Sequence, residues 1–350
     1  ILFLLAFLSL PILSQEWTKI NLNEMNIGFR GFYDLDIDSK QNIWFASLGG
    51  LIKFDGTNWT LFDTTNSDLP SNELFTVGVD LEDNIWVGMG DNYGVSVFDG
   101  SSWINYSRSN SELDAYTIFD IVLDKNNNPW CGTWKFLWTK KNNQWVQIKH
   151  RNSGDPISYY VFEVKVDKNN DIWFTTSVDG LFRYKEGTLK NYDTGIKQFY
   201  YDGLSVDSNN NIWFVNSDNY LIRLNAESEQ YELIDTNSIP YDTESPAPIR
   251  TLFDKNNNLW IAQIRSLYKY NPISEEWATF TMPDSVYLPL PGDGGFREFI
   301  LDANGNFWFI SPSYIYRLSG AITDVNSEPE SSHINIYPNP TKSILNIETD

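Results

Sequence analysis

The segment DKNNDIW at 167–173 is the strongest indicator of the fold, because six close copies of it occur along the chain. Each copy begins with an aspartate, continues through a polar turn and ends with an apolar residue and a tryptophan. The other copies are DSKQNIW (38–44), DLEDNIW (80–86), DKNNNPW (124–130), DSNNNIW (207–213), DKNNNLW (254–260) and DANGNFW (302–308). The seven tryptophans, Trp44, Trp86, Trp130, Trp173, Trp213, Trp260 and Trp308, lie 40 to 48 residues apart.

The residues around each copy predict four short strands per unit. Within 33–63, YDLDID reads as strand A, IWFAS as strand B, LIKFD as strand C and WTLFD as strand D. We expect Asp38 to accept hydrogen bonds from the turn that follows strand A, and Asn42 to take the left-handed conformation at the exit of that turn. A repeat of this length that is built from short strands is typical of a β-propeller. We therefore predict an all-β, seven-bladed β-propeller over residues 15–320, with four-stranded antiparallel blades and the repeated tryptophans where two blades meet.

The two ends of this region predict how the ring closes. After Trp308 the last unit has strands A, B and C but lacks a fourth strand. The segment EWTKINL at 16–22 matches strands D of the other units, such as NWTLFD and EWATFT. We therefore expect residues 16–22 to form the outer strand of the seventh blade, which leaves no unpaired blade edge there.

The two termini predict export. Residues 1–14 are apolar and uncharged, as in a secretory signal, and we expect this signal to be truncated at its start. Residues 321–333 read as a polar linker, and 334–350 as two short strands around Pro338, Asn339 and Pro340. With Tyr337, this last stretch resembles the opening of the type A sorting domain of the type IX secretion system of Bacteroidetes-like bacteria. The resemblance implies an incomplete β-sandwich sorting domain, the type IX secretion machinery as a partner, and delivery through the periplasm to the cell surface or the medium.

The repeats resemble the two-component regulator propeller repeat, whose pattern runs D-x-x-G-N-(I/L)-W and then G-(L/V)-x-(R/K)-(F/Y). VDGLFRYKEG at 178–187 is the closest match to the second half, and the resemblance covers about residues 16–320. This chain has Asn where the family prefers Gly, apart from Gly305. In that family such propellers often precede a membrane segment and a histidine kinase. Neither follows here, so a secreted relative fits better than a sensor kinase.

Composition narrows the classes of function. The net charge is −21, with 25 Lys and Arg against 46 Asp and Glu, which argues against nucleic acid and anionic lipid as partners. The single cysteine, Cys131, excludes an internal disulfide, and two histidines leave little room for histidine metal clusters or triads. The DKNNN turns lack the Gly and Glu of a calcium loop. We expect no cofactor, no metal and a monomer.

Propeller geometry places the B–C and D–A loops on one face, around the central channel. Aromatic and arginine side chains on these loops predict a binding face for a glycan, a peptide or a protein. The predicted site residues in the D–A loops are Arg30, Tyr33, Tyr116, Tyr160, Tyr201, Arg250 and Arg297, and those in the B–C loops are Tyr93, Trp134 and Arg265. Trp134 is of special interest because it does not belong to either repeated tryptophan position.

Two other functions remain open. Carboxylate pairs such as Asp179 and Asp218 leave room for acid–base chemistry, so a polysaccharide lyase or hydrolase is the first alternative. The second alternative is an accessory component of the secretion machinery, because the family that the repeats resemble includes such propellers. The sequence has no nucleophile elbow, HExxH helix or phosphate-binding glycine loop. We therefore favour a secreted or cell-surface, non-catalytic, ligand-binding propeller.

Overall fold

The computed structural model describes residues 16–20, 31–148, 160–177, 180–192, 203–215, 221–234, 250–263, 266–283 and 296–319. These residues form seven four-stranded antiparallel sheets and contain no helix. The predicted all-β, seven-bladed propeller is confirmed. The predicted signal (1–14), linker (321–333) and sorting domain (334–350) lie outside the described residues. Within the described ranges, we find no helix that is long and apolar enough to cross a membrane.

Each blade runs from an inner strand A to an outer strand D. Blade 1 contains β2 (Phe32–Ile37), β3 (Ile43–Ser47), β4 (Gly50–Phe54) and β5 (Trp59–Phe62). Blade 2 contains β6 (Leu74–Val79), β7 (Ile85–Met89), β8 (Val95–Phe98) and β9 (Trp103–Tyr106). Blade 3 contains β10 (Ile118–Leu123), β11 (Pro129–Thr133), β12 (Leu137–Lys141) and β13 (Gln144–Ile148). Blades 4 and 5 contain β14 (Val161–Val166), β15 (Ile172–Thr176), β16 (Gly180–Lys185), β17 (Thr188–Tyr192); and β18 (Ser205–Val206), β19 (Asn211–Val215), β20 (Leu221–Asn225), β21 (Tyr231–Ile234). Blades 6 and 7 contain β22 (Arg250–Phe253), β23 (Leu259–Gln263), β24 (Ser266–Asn271), β25 (Glu276–Thr281); and β26 (Glu298–Leu301), β27 (Phe307–Ile310), β28 (Ile315–Ser319), completed by β1 (Glu16–Ile20).

The seven blades form a closed ring. The inner strands contact one another in the order β2, β6, β10, β14, β18, β22 and β26, and β26 contacts β2 again. The start of the chain closes the last blade, because β1 pairs antiparallel with β28 from Glu16 opposite Ser319 to Ile20 opposite Ile315. The predicted closure by an N-terminal outer strand is therefore confirmed.

The spacing of six residues between aspartate and tryptophan has a local cause. In blade 4, Asp167 Oδ1 accepts hydrogen bonds from the backbone N–H groups of Asn169 (2.8 Å) and Asp171 (2.9 Å), and its Oδ2 accepts one from Trp173 Nε1 at 3.0 Å. The indole N–H of each of the other repeated tryptophans donates in the same way, at 2.9 to 3.0 Å. One carboxylate thus folds the A–B turn and holds the first large side chain of strand B.

The left-handed residue of this turn is one position earlier than predicted. Gln41 has the positive φ of 66°, whereas Asn42 donates its side-chain amide to Asp38 Oδ2 at 2.7 Å. The residues equivalent to Gln41 in the other blades, Asp83, Asn127, Asn170, Asn210, Asn257 and Gly305, have φ between 61° and 78°. The prediction of a left-handed Asn42 was wrong because the Asp38 carboxylate binds that residue's backbone and side chain directly.

The core lies between the blades, where each repeated tryptophan packs against the next blade. Trp44 packs against residues of blade 2 such as Val77 and Val87, and Trp308 packs against blade 1 residues such as Phe32 and Leu35. Five of the seven, from Trp130 to Trp308 along the chain, are at most 3 % exposed. Burial of ~150–250 Å² per tryptophan, at ~25 cal/mol/Å², gives an upper limit of about 4–6 kcal/mol for each ring. A single blade lacks this packing, so the blades stabilise one another.

Candidate functional site

In blades 2 to 4, the described parts of the B–C and D–A loops meet on one face of the ring. Their backbones are hydrogen bonded: Asn92 N–H donates to Tyr116 O at 2.9 Å, and Trp134 N–H donates to Thr117 O at 3.2 Å. In blade 4, Ser177 N–H donates to Tyr160 O at 3.1 Å. The loops that carry Tyr93, Tyr116, Trp134 and Tyr160 are therefore held against the ends of rigid strands.

Four aromatic residues surround the channel where the inner strands begin. Tyr33, Phe75, Phe119 and Phe162 each sit at a register shift in strand A, and all four line the channel. A β-bulge redirects a side chain, which explains why these rings face the channel. The ring centroids of Tyr33 and Phe75 are 4.9 Å apart, those of Phe119 and Phe162 are 5.1 Å apart, and the guanidinium of Arg297 lies 4.0 Å above Tyr33. We call these five residues the channel mouth.

A second aromatic group lies beside the mouth on blades 3 and 4. The ring of Trp134 is 4.5 Å from that of Tyr160, 5.9 Å from that of Tyr116, and 6.2 Å from that of Phe119 at an inclination of 27°. Trp134 is 39 % exposed and Tyr116 is 51 % exposed. The hydroxyl of Tyr116 donates to Asp91 Oδ1 at 3.1 Å. We call Tyr116, Trp134 and Tyr160 the aromatic shelf, which offers exposed ring surface in a fixed position.

Carboxylates line the channel below the mouth. The channel has a volume of about 530 Å³, and four acidic side chains that directly follow mouth residues in sequence line it: Asp34, Asp120, Glu163 and Glu298. Lys165 Nζ lies 3.2 Å from Glu163 Oε1, and Arg250 Nε lies 3.4 Å from Glu298 Oε2. Asp36, two residues after Asp34 on β2, also lines the channel.

The same side chains join neighbouring blades. Asp34 Oδ2 accepts a hydrogen bond from Val77 N–H at 2.9 Å, and Asp120 Oδ2 accepts one from Val164 N–H at 2.6 Å. Further links come from the backbone N–H groups of Val79, Ile121 and Leu204, which donate to Asp36 Oδ2, Thr76 Oγ1 and Glu163 Oε2 respectively. The side chain of Arg250 donates to the carbonyl of Arg297, and that of Arg297 donates to the carbonyl of Phe32. One more link joins two side chains, since Thr251 Oγ1 donates to Ser205 Oγ. An inner strand has no strand of its own sheet on the channel side, so these side chains satisfy backbone groups that would otherwise lack a partner.

Burial and mutual repulsion disturb the ionisation of this group. Burial, together with the charges of Glu298 and Asp120, raises the pKa of Asp34 to about 8. Burial also raises the pKa of Asp36 and that of Asp120 to about 6 each. For Lys165, burial acts to lower the pKa, but the carboxylates of Glu163, Asp120 and Glu298 outweigh it and hold the pKa above its usual value. The channel therefore brings several carboxyl groups together in a partly enclosed space, where burial and mutual repulsion favour their protonated form.

The predicted site residues fall into three groups. Tyr116, Trp134 and Tyr160 form one cluster, and Tyr93, which is 44 % exposed, lies in the B–C loop next to Asn92, whose N–H binds Tyr116. Tyr33 contacts Arg297 across the ring from this cluster, and Arg250 lies in the channel. Arg30, Tyr201 and Arg265 lie outside the described residues.

Two placements differ from the prediction. Tyr33 is the second residue of β2, which agrees with the interpretation of YDLDID as strand A, and Arg250 is the first residue of β22, so both lie on inner strands rather than in D–A loops. The pairing between strands A and B extends to both residues. Arg250 is opposite Ala262, and Tyr33 lies between Phe32 and Asp34, which are both paired. Both therefore have strand-held backbones at the channel.

Sequence reasoning missed the other channel residues. Phe75, Phe119 and Phe162 each precede their repeat tryptophan by eleven residues, as do Tyr33 and Arg297. Four of the five acidic side chains of the channel, all but Asp36, stand one position later. Both sets of residues, those at the channel mouth and the acidic ones below it, could be found by counting back from each tryptophan. This works because the inner strand and strand B pair in the same register in these blades.

Histidine side chains and metal-binding clusters are absent from the described part of the chain. Its residues contain no histidine, since His150 and His333 both lie outside it, and no group of three or more His, Cys, Asp or Glu within it could hold a metal ion. The carboxylate pair considered from sequence, Asp179 and Asp218, also lies outside the described ranges. Burial raises the pKa of the Cys131 thiol far above its usual value, which disfavours the reactive thiolate.

Comparison with known proteins identifies similar folds. Neither a protein-family model nor a curated protein matches this sequence. Among solved structures, streptogramin B lyase is 15 % identical with a TM-score of 0.70, over 88 % of this chain and 98 % of that one. A catalytically inactive histidine-to-alanine variant of virginiamycin B lyase from Staphylococcus aureus, solved with quinupristin, is 13 % identical with a TM-score of 0.68, over 87 % and 99 %.

A third similar structure is an extracellular domain. It belongs to a putative hybrid two component system from B. thetaiotaomicron and is 18 % identical with a TM-score of 0.65. The match covers 89 % of this chain and 42 % of that one, so this chain corresponds to less than half of that domain. At these identities the likeness establishes the seven-bladed propeller fold, which both enzymes and extracellular domains of signalling proteins share.

Proposed function

We propose that this protein is an extracellular, non-catalytic propeller that binds its ligand at the channel mouth and the aromatic shelf. The observation that carries the proposal is the cluster around Trp134, where three exposed or half-buried rings stand against the aromatic residues of the channel mouth. Exposed aromatic side chains that are held by a rigid scaffold supply contact area with little loss of conformational entropy on binding. The ligand classes that suit such a surface are a glycan, a peptide or a protein.

A location outside the cell is part of this proposal. It is supported by the apolar segment at 1–14, by the resemblance of 334–350 to a type IX sorting domain, and by the extracellular domain among the similar structures. In the bacterium that makes the protein, removal of 334–350 should retain the protein in the periplasm. Fractionation of cells that express either form measures this directly.

The binding experiment uses glycan and peptide arrays followed by titration calorimetry of the best ligand. Substitution of Trp134 and Tyr160 together by Ala removes the centre of the aromatic shelf, and we expect it to weaken binding at least about tenfold. The matched control is the substitution of Ile104 and Val146 by Ala, which removes exposed apolar side chains from the outer strands β9 and β13. Equal binding by the shelf variant and the native protein would place the ligand elsewhere.

A lyase is the second candidate, favoured by the similarity to streptogramin B lyase. The inactive variant of virginiamycin B lyase lacks a histidine, and this chain offers no histidine among the described residues. We therefore expect incubation with quinupristin to leave its chromatographic retention and its absorbance unchanged. A new product in excess of that in an enzyme-free sample would favour the lyase.

A further inference from the structure

The channel already holds guanidinium groups of its own on one side. The guanidinium of Arg297 lies 4.0 Å above the ring of Tyr33 and donates a hydrogen bond to the carbonyl of Phe32 at 2.9 Å. Arg250 lies 3.4 Å from the carboxylate of Glu298. Blades 6, 7 and 1 therefore provide the two contacts that a guanidinium favours, an aromatic face and a carboxylate.

Blade 3 presents the same pair of groups next to the aromatic shelf. Phe119 lies at the mouth and is followed by Asp120, which lines the channel below it. Within the part of the chain that the structure describes, every cation that faces a ring lies over a ring other than Phe119. Asp120 uses Oδ2 to bind Val164 N–H, and its Oδ1 accepts no hydrogen bond from these residues.

The charges around this position favour a cation from outside. Five acidic side chains line the channel, Asp34, Asp36, Asp120, Glu163 and Glu298. With its pKa raised to about 8, Asp34 is mostly neutral at pH 7, which leaves four carboxylates against Lys165 and Arg250. The ammonium of Lys165 lies 3.2 Å from Glu163, so its nearest partner is on blade 4 rather than Asp120. With a net charge of −21, the chain also attracts a basic ligand over longer distances.

We propose that the blade 3 side of the channel mouth binds an arginine side chain of a basic peptide segment. The guanidinium stacks on the half-buried ring of Phe119 beside the exposed Trp134 and pairs with Asp120. Arginine fits better than lysine, because a planar guanidinium stacks on an aromatic face and pairs with a carboxylate at the same time. This inference rests on the proposed binding function and specifies its ligand.

The test compares two peptides that differ in charge but not in shape. A short Gly-Ser peptide with one central arginine and the same peptide with citrulline are titrated by calorimetry into the full chain at physiological salt. We expect the arginine peptide to bind at least about tenfold more tightly than the citrulline peptide. The Asp120→Asn variant keeps an oxygen for Val164 N–H, and we expect it to remove this preference while binding of the citrulline peptide stays the same.

A matched variant separates local pairing from bulk charge. Asp99 lies in the exposed turn between β8 and β9, on the opposite face of the ring, and Asp99→Asn removes the same charge. We expect this variant to keep the full preference for arginine. A Phe119→Leu variant, which keeps an apolar side chain but removes the ring, should weaken the arginine peptide selectively and provides a second test if Asp120→Asn fails to fold.

The outcomes distinguish this inference from the proposed function. Equal affinity for the arginine and citrulline peptides, or no detectable binding of either, overturns the inference. If the array then yields a neutral ligand that depends on Trp134 and Tyr160 but not on Asp120, the binding function stands and the arginine site is wrong. If every ligand is indifferent to Trp134 and Tyr160, both are wrong.

Discussion

At the scale of the residue, one position in each A–B turn connects neighbouring blades. The side chain of the left-handed residue accepts a hydrogen bond from the turn of the preceding blade, as when Asn170 Oδ1 accepts from Lys125 N–H at 2.7 Å. The same link is made by Asp83, Asn127, Asn210, Asn257 and Gln41. This explains why the chain has Asn where the repeat that it resembles prefers Gly: asparagine tolerates the left-handed conformation and adds an acceptor. Gly305, without a side chain, cannot make the link between blades 6 and 7.

The substitution Gly305→Asn should restore this missing link. Gly305 has φ of +78°, and a Cβ at this position would meet nothing within 4 Å, so an asparagine can accept from the N–H of Lys255 as its equivalents do. We expect the free energy of unfolding to rise by about 1 kcal/mol and Tm by ~2 °C. Calorimetry measures both. The control Gly305→Ala places a side chain at the same positive φ but adds no hydrogen-bond acceptor, so it should lower Tm. Equal changes in Tm for the two variants would contradict this explanation.

At the scale of the element, β1 completes a sheet that the other end of the chain begins. Besides its pairing with β28, the ring of Trp17 packs 5.3 Å from that of Phe309, and the ammonium of Lys19 lies 3.5 Å above Tyr314. Without β1 the seventh blade would expose both an unpaired strand edge and apolar surface.

Replacement of residues 16–20 by a Gly-Ser linker of equal length should therefore destabilise the whole ring. We expect a loss of several kcal/mol and a fall in Tm of ~10 °C, because five paired residues, Trp17 among them, are lost together. Thermal unfolding followed by circular dichroism measures the change. The double substitution Glu16→Ser and Thr18→Ser alters only exposed side chains of the same strand and should leave Tm unchanged. An unaltered Tm for the linker variant would rule out a stabilising role for β1.

At the scale of the whole molecule, the channel combines two demands on the same carboxylates. Each must accept a hydrogen bond from a backbone N–H group of the next inner strand. Burial and repulsion between the carboxylates also favour the protonated form of these groups. A neutral carboxyl group still accepts a hydrogen bond, so partial protonation relieves the repulsion while the links between blades persist. Stability should therefore depend on pH through the channel.

The native protein should be less stable at pH 8.5 than at pH 5. The pKa of Asp34 is raised to about 8 and those of Asp36 and Asp120 to about 6, so the folded state binds protons that the unfolded state has released above pH ~4. Their contribution to stability is present below pH ~4 and is lost as the pH rises to about 8. Urea unfolding at both pH values measures the difference, which Asp34→Asn should reduce and Asp99→Asn should not. Greater stability at pH 8.5 than at pH 5 in the native protein would contradict this account.

The sequence by itself determined the number of blades, the register of each Asp-to-Trp turn and the closure by β1. These features depend on contacts within one unit, such as that of Asp167 with Trp173, or on the repetition of one strand pattern. They can therefore be predicted from the sequence. It also predicted the face on which Tyr116, Trp134 and Tyr160 lie, because loop order in a propeller fixes the face.

Only the tertiary structure decided which side chains meet in the channel. Tyr33 and Phe119 lie on inner strands and Arg297 directly precedes β26, so the three come from segments far apart in sequence. The bulges at Tyr33 and Phe119 that aim their rings inward arise from pairing register rather than from a local motif. The roles of Asp34 and Asp120 depend in the same way on N–H groups of a neighbouring blade. A channel lined by seven separate strands is a property of the closed ring, and so its chemistry exists only after the blades have assembled.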